Sequence, residues 1–206
     1  MTKILPCAYR SQRDNADTPG ASCNTTALVM VLEASGHPPS EIEALPAGKQ
    51  PEDWLTEIGD SPAAYTQMRV RCPWFFGADG KALVRPPEAP TMLDWIVEQA
   101  YGRKLTQYVD DLMPGDIMAH IDAGRAVLVH GVFTPAGHFV AVVGYEALQD
   151  VGGTVGAVTG FRINDPWGVY PAYTDHNGEH VLLDYHAAET LLKPVGAALK
   201  SGNIVV

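Results

Sequence analysis

The segment from Cys23 to about Ser35 is apolar around nearly its whole circumference. A helix of this kind packs on several sides instead of lying on a surface, so the pattern predicts a central buried helix. Gly36 ends the segment and two prolines follow soon after, which is typical of a helix stop. A chain of 206 residues, 46% of them hydrophobic, can enclose such a helix in one core, and we expect a single domain over residues 1–206.

Proline and glycine break the rest of the N-terminal half into short segments. The predicted elements there are an edge strand over residues 4–10 and helices over 51–59, from Ser61 and Pro62 onward, and from Thr91 to Gly102. Thr91 followed three residues later by Asp94 resembles a capping box, which would start the last of these helices.

After Pro114 the pattern changes to that of strands. The predicted elements are a helix over 117–123 and strands over 126–133, 138–145 and 158–164. Turn residues at 135–137 indicate a hairpin between the first two strands, and Asn177-Gly178 indicates another between strands at 170–173 and 180–185. The predicted fold class is therefore α+β, with a helical N-terminal half packed on a C-terminal antiparallel β-sheet.

Charge and hydropathy exclude several kinds of partner. Fourteen basic residues against 24 acidic ones give a net charge of −10 without a long basic block, which argues against nucleic acid. No apolar run approaches the roughly 18 residues of a membrane span, and the first residues lack the apolar core of a signal peptide. We expect a monomer with no transmembrane segment that is cytoplasmic as synthesised.

Three cysteines, Cys7, Cys23 and Cys72, are present without a paired CxxC spacing. An odd count without a secretory signal indicates free thiols in a reducing compartment. Cys7 and Cys72 are expected to be packing residues. A disulfide between these two is the alternative if the protein acts outside a cell.

Cys23 stands at the predicted start of the buried helix, where the positive end of the helix dipole stabilises a thiolate. His138 opens an apolar strand, and Asp165 follows the end of another. A cysteine, a histidine and a carboxylate, in that chain order and on those elements, are typical of a papain-like thiol hydrolase.

The remaining roles can be assigned as hypotheses. Asp165 would accept the N–H of His138 and hold one tautomer, with Asn164 as the rival for that role. Gln12 precedes Cys23 by 11 residues, and its amide could donate a hydrogen bond to an oxyanion beside the backbone N–H of Cys23.

Five short motifs resemble those of papain-fold peptidases related to the bacteriocin-processing, double-glycine-leader peptidases. They are SQRDN at 11–15, CNTTALVM at 23–30, GHFV at 137–140, GY at 144–145 and DPWG at 165–168. The similarity runs from about residue 4 to about residue 186. It implies a papain-like fold with Gln12 as oxyanion donor, Cys23 as nucleophile, His138 as base and acid, and Asp165 as orienter. Leader-processing members are fused to transporter domains, which this chain lacks, so the resemblance is to a stand-alone branch.

We therefore expect a cysteine peptidase, and we favour a phage or bacterial endolysin that cleaves peptidoglycan stem peptides and is released to the cell wall. The acidic surface gives no electrostatic attraction to an anionic wall. The alternatives are a cysteine-dependent amidase or acyl transferase and a non-catalytic peptide-binding module on the same fold.

No cofactor is expected for this chemistry. Calcium near Asp14 and Asp17 is an alternative, because carboxylates in a loop are suitable ligands. A metal site could also be drawn around Asp184 and its neighbouring histidines, at 176, 180 and 186, although the helical HExxH spacing is absent.

Overall fold

The computed structural model describes residues 1–110, 112–149, 155–191 and 201–206. The α-helices are α1 (Cys23–Ala34), α2 (Pro51–Gly59), α3 (Pro62–Arg71), α4 (Pro90–Tyr101), α5 (Pro114–Asp122) and α6 (Tyr185–Leu191). The strands are β1 (Thr2–Ile4), β2 (Thr106–Asp110), β3 (Val127–Gly131), β4 (His138–Gln149), β5 (Val155–Asn164), β6 (Val181–Asp184) and β7 (Ser201–Val205). Within the described ranges, no helix has the length and apolar character needed to cross a membrane.

The strands form one antiparallel sheet in the order β2-β7-β3-β4-β5-β6, and β1 pairs with β4. Strand β4 is the centre of this sheet, and every residue from His138 to Tyr145 is buried. A strand covered on both faces is apolar throughout, as the sequence pattern predicted for this segment. The α+β fold class is confirmed, with four of the six helices preceding most of the sheet.

Helix α1 packs between β4 and α2 and is buried along almost its whole length. Its end is a Schellman motif, in which the N–H of His37 donates to Leu32 O at 2.8 Å and that of Gly36 donates to Glu33 O at 3.1 Å. Gly36 has a φ of +88°, which a residue with a side chain rarely adopts. The predicted stop at Gly36 is confirmed, and so is the buried helix itself.

Helix α2 begins at Pro51 and ends at Gly59, and helix α3 begins at Pro62, as the proline and glycine signals predicted. Pro51 and Pro62 each occupy the first helical position, where the missing N–H costs nothing. The Ser61 side chain caps α3 by accepting from Ala64 N at 3.2 Å. Gly102 ends α4 in the left-handed conformation.

The predicted capping box at Thr91 and Asp94 is wrong. Helix α4 begins one residue earlier, at Pro90, and no side-chain hydrogen bond caps it. The Thr91 hydroxyl lies 2.7 Å from the Cys72 thiol, and an Asp94 carboxylate oxygen accepts from Tyr108 N at 2.6 Å. Both polar side chains therefore contact residues from other parts of the chain, and these contacts could not be predicted from the local sequence.

Two predicted strand regions are also wrong. Strand β1 ends at Ile4, so most of the predicted strand over 4–10 lies outside the sheet. Residues 170–173 lie in turns, and β6 pairs with β5 instead of forming a hairpin around Asn177-Gly178. Gly178 packs against the end of β5, where an added Cβ would lie 2.1 Å from Asp165 O. The Asn177-Gly178 segment therefore packs against Asp165 instead of forming a hairpin turn.

Candidate active site

Cys23 is the first residue of α1 and is half-buried. The N–H groups in the first turn of a helix have no intrahelical acceptors, and the helix dipole is positive there. The backbone N–H of Cys23 and its thiol therefore share one electropositive helix end. This is the placement that the sequence predicted.

A layer of buried polar side chains holds this helix end in place. Asn15 donates from Nδ2 to Ser22 Oγ at 2.8 Å and to Thr26 Oγ1 at 2.9 Å. Asn24 Oδ1 accepts from Thr25 N at 2.8 Å and so replaces one missing helical hydrogen bond. These contacts connect the preceding loop to α1 on the side that carries the thiol.

His138 is the first residue of β4 and is only 4% exposed. Its Nε2 lies 2.7 Å from Asp165 Oδ1, and the Cys23 side chain is close enough to the ring to influence its pKa. Burial by itself lowers the pKa of this histidine. The hydrogen bond to Asp165 and the interaction with the nearby Cys23 side chain outweigh that effect, and the pKa of His138 is raised to about 9. The imidazolium form is thus favoured next to the thiol.

Asp165 follows the last residue of β5 and is fully buried. Because β4 and β5 are antiparallel, with Ala141 opposite Asn164, the end of β5 lies beside the start of β4. Asp165 Oδ1 also accepts from Trp167 N at 2.9 Å, which orients the carboxylate toward His138. Its Oδ2 is buried and has no hydrogen-bond partner within the described ranges.

Asn164, the rival to Asp165, points elsewhere. Its Nδ2 donates to Cys7 Sγ at 3.2 Å, and its Oδ1 accepts from His180 N at 2.8 Å. Neighbouring residues at the end of a strand face opposite sides of the sheet. The structure therefore pairs His138 with Asp165.

Gln12 lies in a short 3₁₀ turn, Gln12–Asp14, and is 2% exposed. Its backbone N–H donates to Pro166 O at 3.1 Å, which ties the turn to the loop that carries Asp165. The side-chain Nε2 donates to Pro19 O at 2.8 Å. An amide nitrogen carries two hydrogens, so one remains for another acceptor.

Three aromatic side chains surround His138, and the sequence analysis did not identify them as part of a site. Phe133 and Tyr173 meet the imidazole edge to face, with ring centroids 6.3 and 6.4 Å away. Tyr170 packs on both of these rings. Burial and the nearby charge of Asp165 raise the pKa of Tyr173, so its hydroxyl stays protonated. The only available signal was the position of the two tyrosines shortly after Asp165.

The other two cysteines, Cys7 and Cys72, are free thiols. The alternative of a disulfide between Cys7 and Cys72 is therefore wrong for this structure. Burial, reinforced by the charge of Glu33, raises the pKa of Cys7 to about 11. Burial also raises the pKa of Cys72.

The candidate metal sites gain no support. In the part of the chain that the structure describes, no group of three or more His, Cys, Asp or Glu side chains is arranged to hold a metal ion. Asp17 instead lies 3.7 Å from Lys49 Nζ, and its backbone N–H donates to Asp53 at 3.2 Å.

Comparison with known proteins gives two similarities. A family model described as the Peptidase_C39 like family matches residues 4–190. Among solved structures, a protein described as a C39-like peptidase from Bacillus anthracis is similar, with a TM-score of 0.57 and 14% sequence identity over 100% of this chain and 98% of that chain. At that identity the structural likeness shows the fold alone. No curated protein sequence matches this chain significantly.

Proposed function

Because this chain belongs to the Peptidase_C39 like family, we propose that it cleaves peptide bonds through a thioester formed on Cys23. Family membership and the shared fold support a cysteine peptidase-type function. The observation that supports the assignment of individual residues is the position of His138, which bonds Asp165 through Nε2 at 2.7 Å and has Cys23 among the groups that raise its pKa.

In the first half of the proposed reaction, the Cys23 thiolate attacks the peptide carbonyl carbon. The oxyanion forms at the start of α1, where the Cys23 N–H and the free N–H of the Gln12 amide are the donors we assign to it. The His138 imidazolium then gives its proton to the leaving amine, and the carbon–nitrogen bond breaks. Asp165 keeps the imidazole in one tautomer throughout.

In the second half, water attacks the thioester carbonyl while neutral His138 accepts its proton. The carbon–sulfur bond breaks, the acid product leaves, and the thiolate–imidazolium pair returns. This cycle needs no metal or cofactor, since the two side chains supply both the nucleophile and the proton transfers.

For the substrate we favour a peptidoglycan stem peptide, cleaved by a bacterial or phage lysin. The net charge of −10 would not attract an anionic wall, so binding would have to come from contacts with the peptide itself.

The test is to incubate the protein with purified cell walls and with a peptide library and to identify the products by mass. Cys23→Ala should remove all cleavage, whereas the matched variant Cys7→Ala should keep it, because Cys7 is a half-buried thiol outside the proposed site. Cleavage by Cys23→Ala protein at the wild-type rate would overturn the whole assignment.

The same experiment separates the other candidate activities. Addition of an amine would yield an aminolysis product if the protein is an acyl transferase, because both reactions share the thioester. A non-catalytic binding module would bind peptides without changing their mass. Cleavage of library peptides but not of cell walls would keep the peptidase and exclude the lysin.

A further inference from the structure

Arg13 lies next to the proposed site and has a fixed orientation. Its guanidinium carbon lies 3.8 Å from the centroid of the Trp167 ring, and its Nε donates to Trp167 O at 2.9 Å. Stacking and one hydrogen bond therefore hold the planar group against the indole. The two terminal nitrogens of the fork are not used by either contact.

Arg13, like Arg69, Arg71, Lys104 and Arg125, has no acidic partner among the described residues. Ion pairs involve seven of the twelve arginines and lysines in the described ranges, those at 3, 10, 49, 81, 85, 103 and 162, and none of these pairs includes Arg13. In a chain with ten more acidic than basic residues, an unpaired guanidinium held in place beside a reactive site is suited to bind an anion from outside.

The contacts place this cation on one particular side of the site. Trp167 N donates to the same Asp165 oxygen that bonds His138, and Trp167 O accepts from Arg13. Three successive hydrogen bonds therefore connect the imidazole to Arg13. On the other flank, the neighbouring residue Gln12 is tied by its backbone to Pro166. In the proposed reaction His138 gives its proton to the leaving amine, so the side of His138 and Trp167 is the leaving-group side.

We infer that Arg13, stacked on Trp167, binds a carboxylate of the substrate in the segment that departs as the amine. The substrate class is thus a peptide with an acidic side chain, or its free C-terminal carboxylate, shortly after the cleaved bond. This inference rests on the proposed function, because the leaving side is defined by the role of His138. A fork of two N–H donors fits a carboxylate geometrically, whereas an amide offers one acceptor oxygen and no charge.

Arg69 provides a matched control. Its guanidinium stacks on Phe76 at 4.2 Å and bonds a backbone carbonyl, that of Gly80, but it lies on α3 far along the chain from the site residues. Arg69→Gln thus removes the same kind of stacked cation without touching the proposed subsite. Arg13→Lys keeps the charge of Arg13 but removes the fork, and it serves as the second variant if Arg13→Gln fails to fold.

The experiment uses two sets of alanine-based peptides. In the first set both ends are capped, and a single aspartate or asparagine is placed at each position in turn. The second set is a pair of peptides that differ only in a free or an amidated C-terminus. Two readouts are taken: kcat/KM for cleavage, and the Kd for the Cys23→Ala protein. We expect the acidic peptide to be preferred by about tenfold or more in one position after the cleaved bond, since a charge-assisted pair has that strength. Arg13→Gln should reduce the preference to about twofold or less, and Arg69→Gln should leave it unchanged.

Equal cleavage of acidic and neutral peptides by the wild type, or a preference that survives in Arg13→Gln, overturns the inference while the peptidase assignment stands. Absence of cleavage together with carboxylate binding that depends on Arg13 overturns the proposed function and keeps the carboxylate site. Absence of both overturns both.

Discussion

Two consecutive residues at the end of β5 are related to two different thiols, Asn164 directly to Cys7 and Asp165 through His138 to Cys23, and the surroundings of these thiols differ. Cys7 contacts the Asn164 amide at 3.2 Å and is near the charge of Glu33. On the other side of the sheet, Cys23 lies close to His138, whose Nε2 lies 2.7 Å from Asp165 Oδ1. One thiol thus has a neutral partner and a nearby acid, while the other has an imidazole backed by a carboxylate.

The comparison teaches that the charge of the partner, and not burial alone, sets a thiol's chemistry in this fold. Burial and Glu33 both oppose a negative sulfur, and they raise the pKa of Cys7 to about 11. Cys23 lies instead at the start of α1, close to the His138 imidazole that bonds Asp165. Each prediction below changes one part of this contrast.

The largest effect should be seen in alkylation. At about pH 7, a thiol with a pKa of about 11 is thiolate in only about one molecule in 10,000, so iodoacetamide should leave Cys7 almost unmodified over the time in which Cys23, the proposed nucleophile, reacts completely. The measurement is a time course with peptide mass mapping. Similar rates at the two cysteines would remove the distinction between them.

The second-largest effect is expected when the Asp165 carboxylate is replaced. Asp165→Asn keeps the shape but removes the charge that holds the imidazolium, so the rate of peptide cleavage should fall about 100- to 10,000-fold. Asn164→Ala is the control, since it loses the contact with Cys7 and should cost about 1–3 kcal/mol of stability while sparing the rate. If both variants slow the reaction equally, the two sides of β5 are not functionally distinct.

The pH dependence should report the raised pKa of His138. Activity requires the imidazolium and should fall by about tenfold per pH unit above about pH 9. The folded pKa lies above the unfolded value of about 6.5, so this histidine contributes stability that is fully present below about pH 6.5 and is lost as pH rises through about 9. Urea unfolding of wild type and His138→Gln at a series of pH values should show the difference between them shrinking over that range. A constant difference would contradict the raised pKa.

The smallest effect is expected at Tyr173. Its hydroxyl lies near the Asp165 carboxylate, whose Oδ2 has no hydrogen-bond partner within the described ranges. Tyr173→Phe keeps the ring against His138 and removes only the hydroxyl, so kcat should fall about 2- to 10-fold with KM unchanged. Tyr170→Phe is the control for a neighbouring phenol. A loss in thermal stability without a change in kcat would indicate a packing role only.

Much of the fold near the site could be predicted because its signals are local. The apolar circumference of α1, its Gly36 stop and the apolar run of β4 each depend on residues close in sequence. The hairpin of β3 and β4 was also predicted and is confirmed by their pairing. That residues 1–206 form one domain, and that they act as a monomer, stay predictions.

Other elements could not be predicted because their signals are not local. Strands β2 and β7 pair with each other although about 95 residues separate them along the chain, and neither has a marked alternating pattern. Likewise Thr91 and Asp94 have the spacing of a cap, but contacts with Cys72 and Tyr108 take them away from the helix end. In both cases contacts between residues distant in sequence, and not the local sequence pattern, determine the structure.

The sequence by itself determined where a thiol meets a helix start, where a histidine opens a buried strand, and which carboxylate and amide lie close to a strand end. These features follow from helix and strand periods and from turn residues, which act over a few positions. Only the tertiary structure decided that Asp165 and not Asn164 meets His138, and that Tyr173 and Arg13 lie beside them. Those contacts join residues distant along the chain, and the direction in which each side chain points depends on sheet register and loop packing.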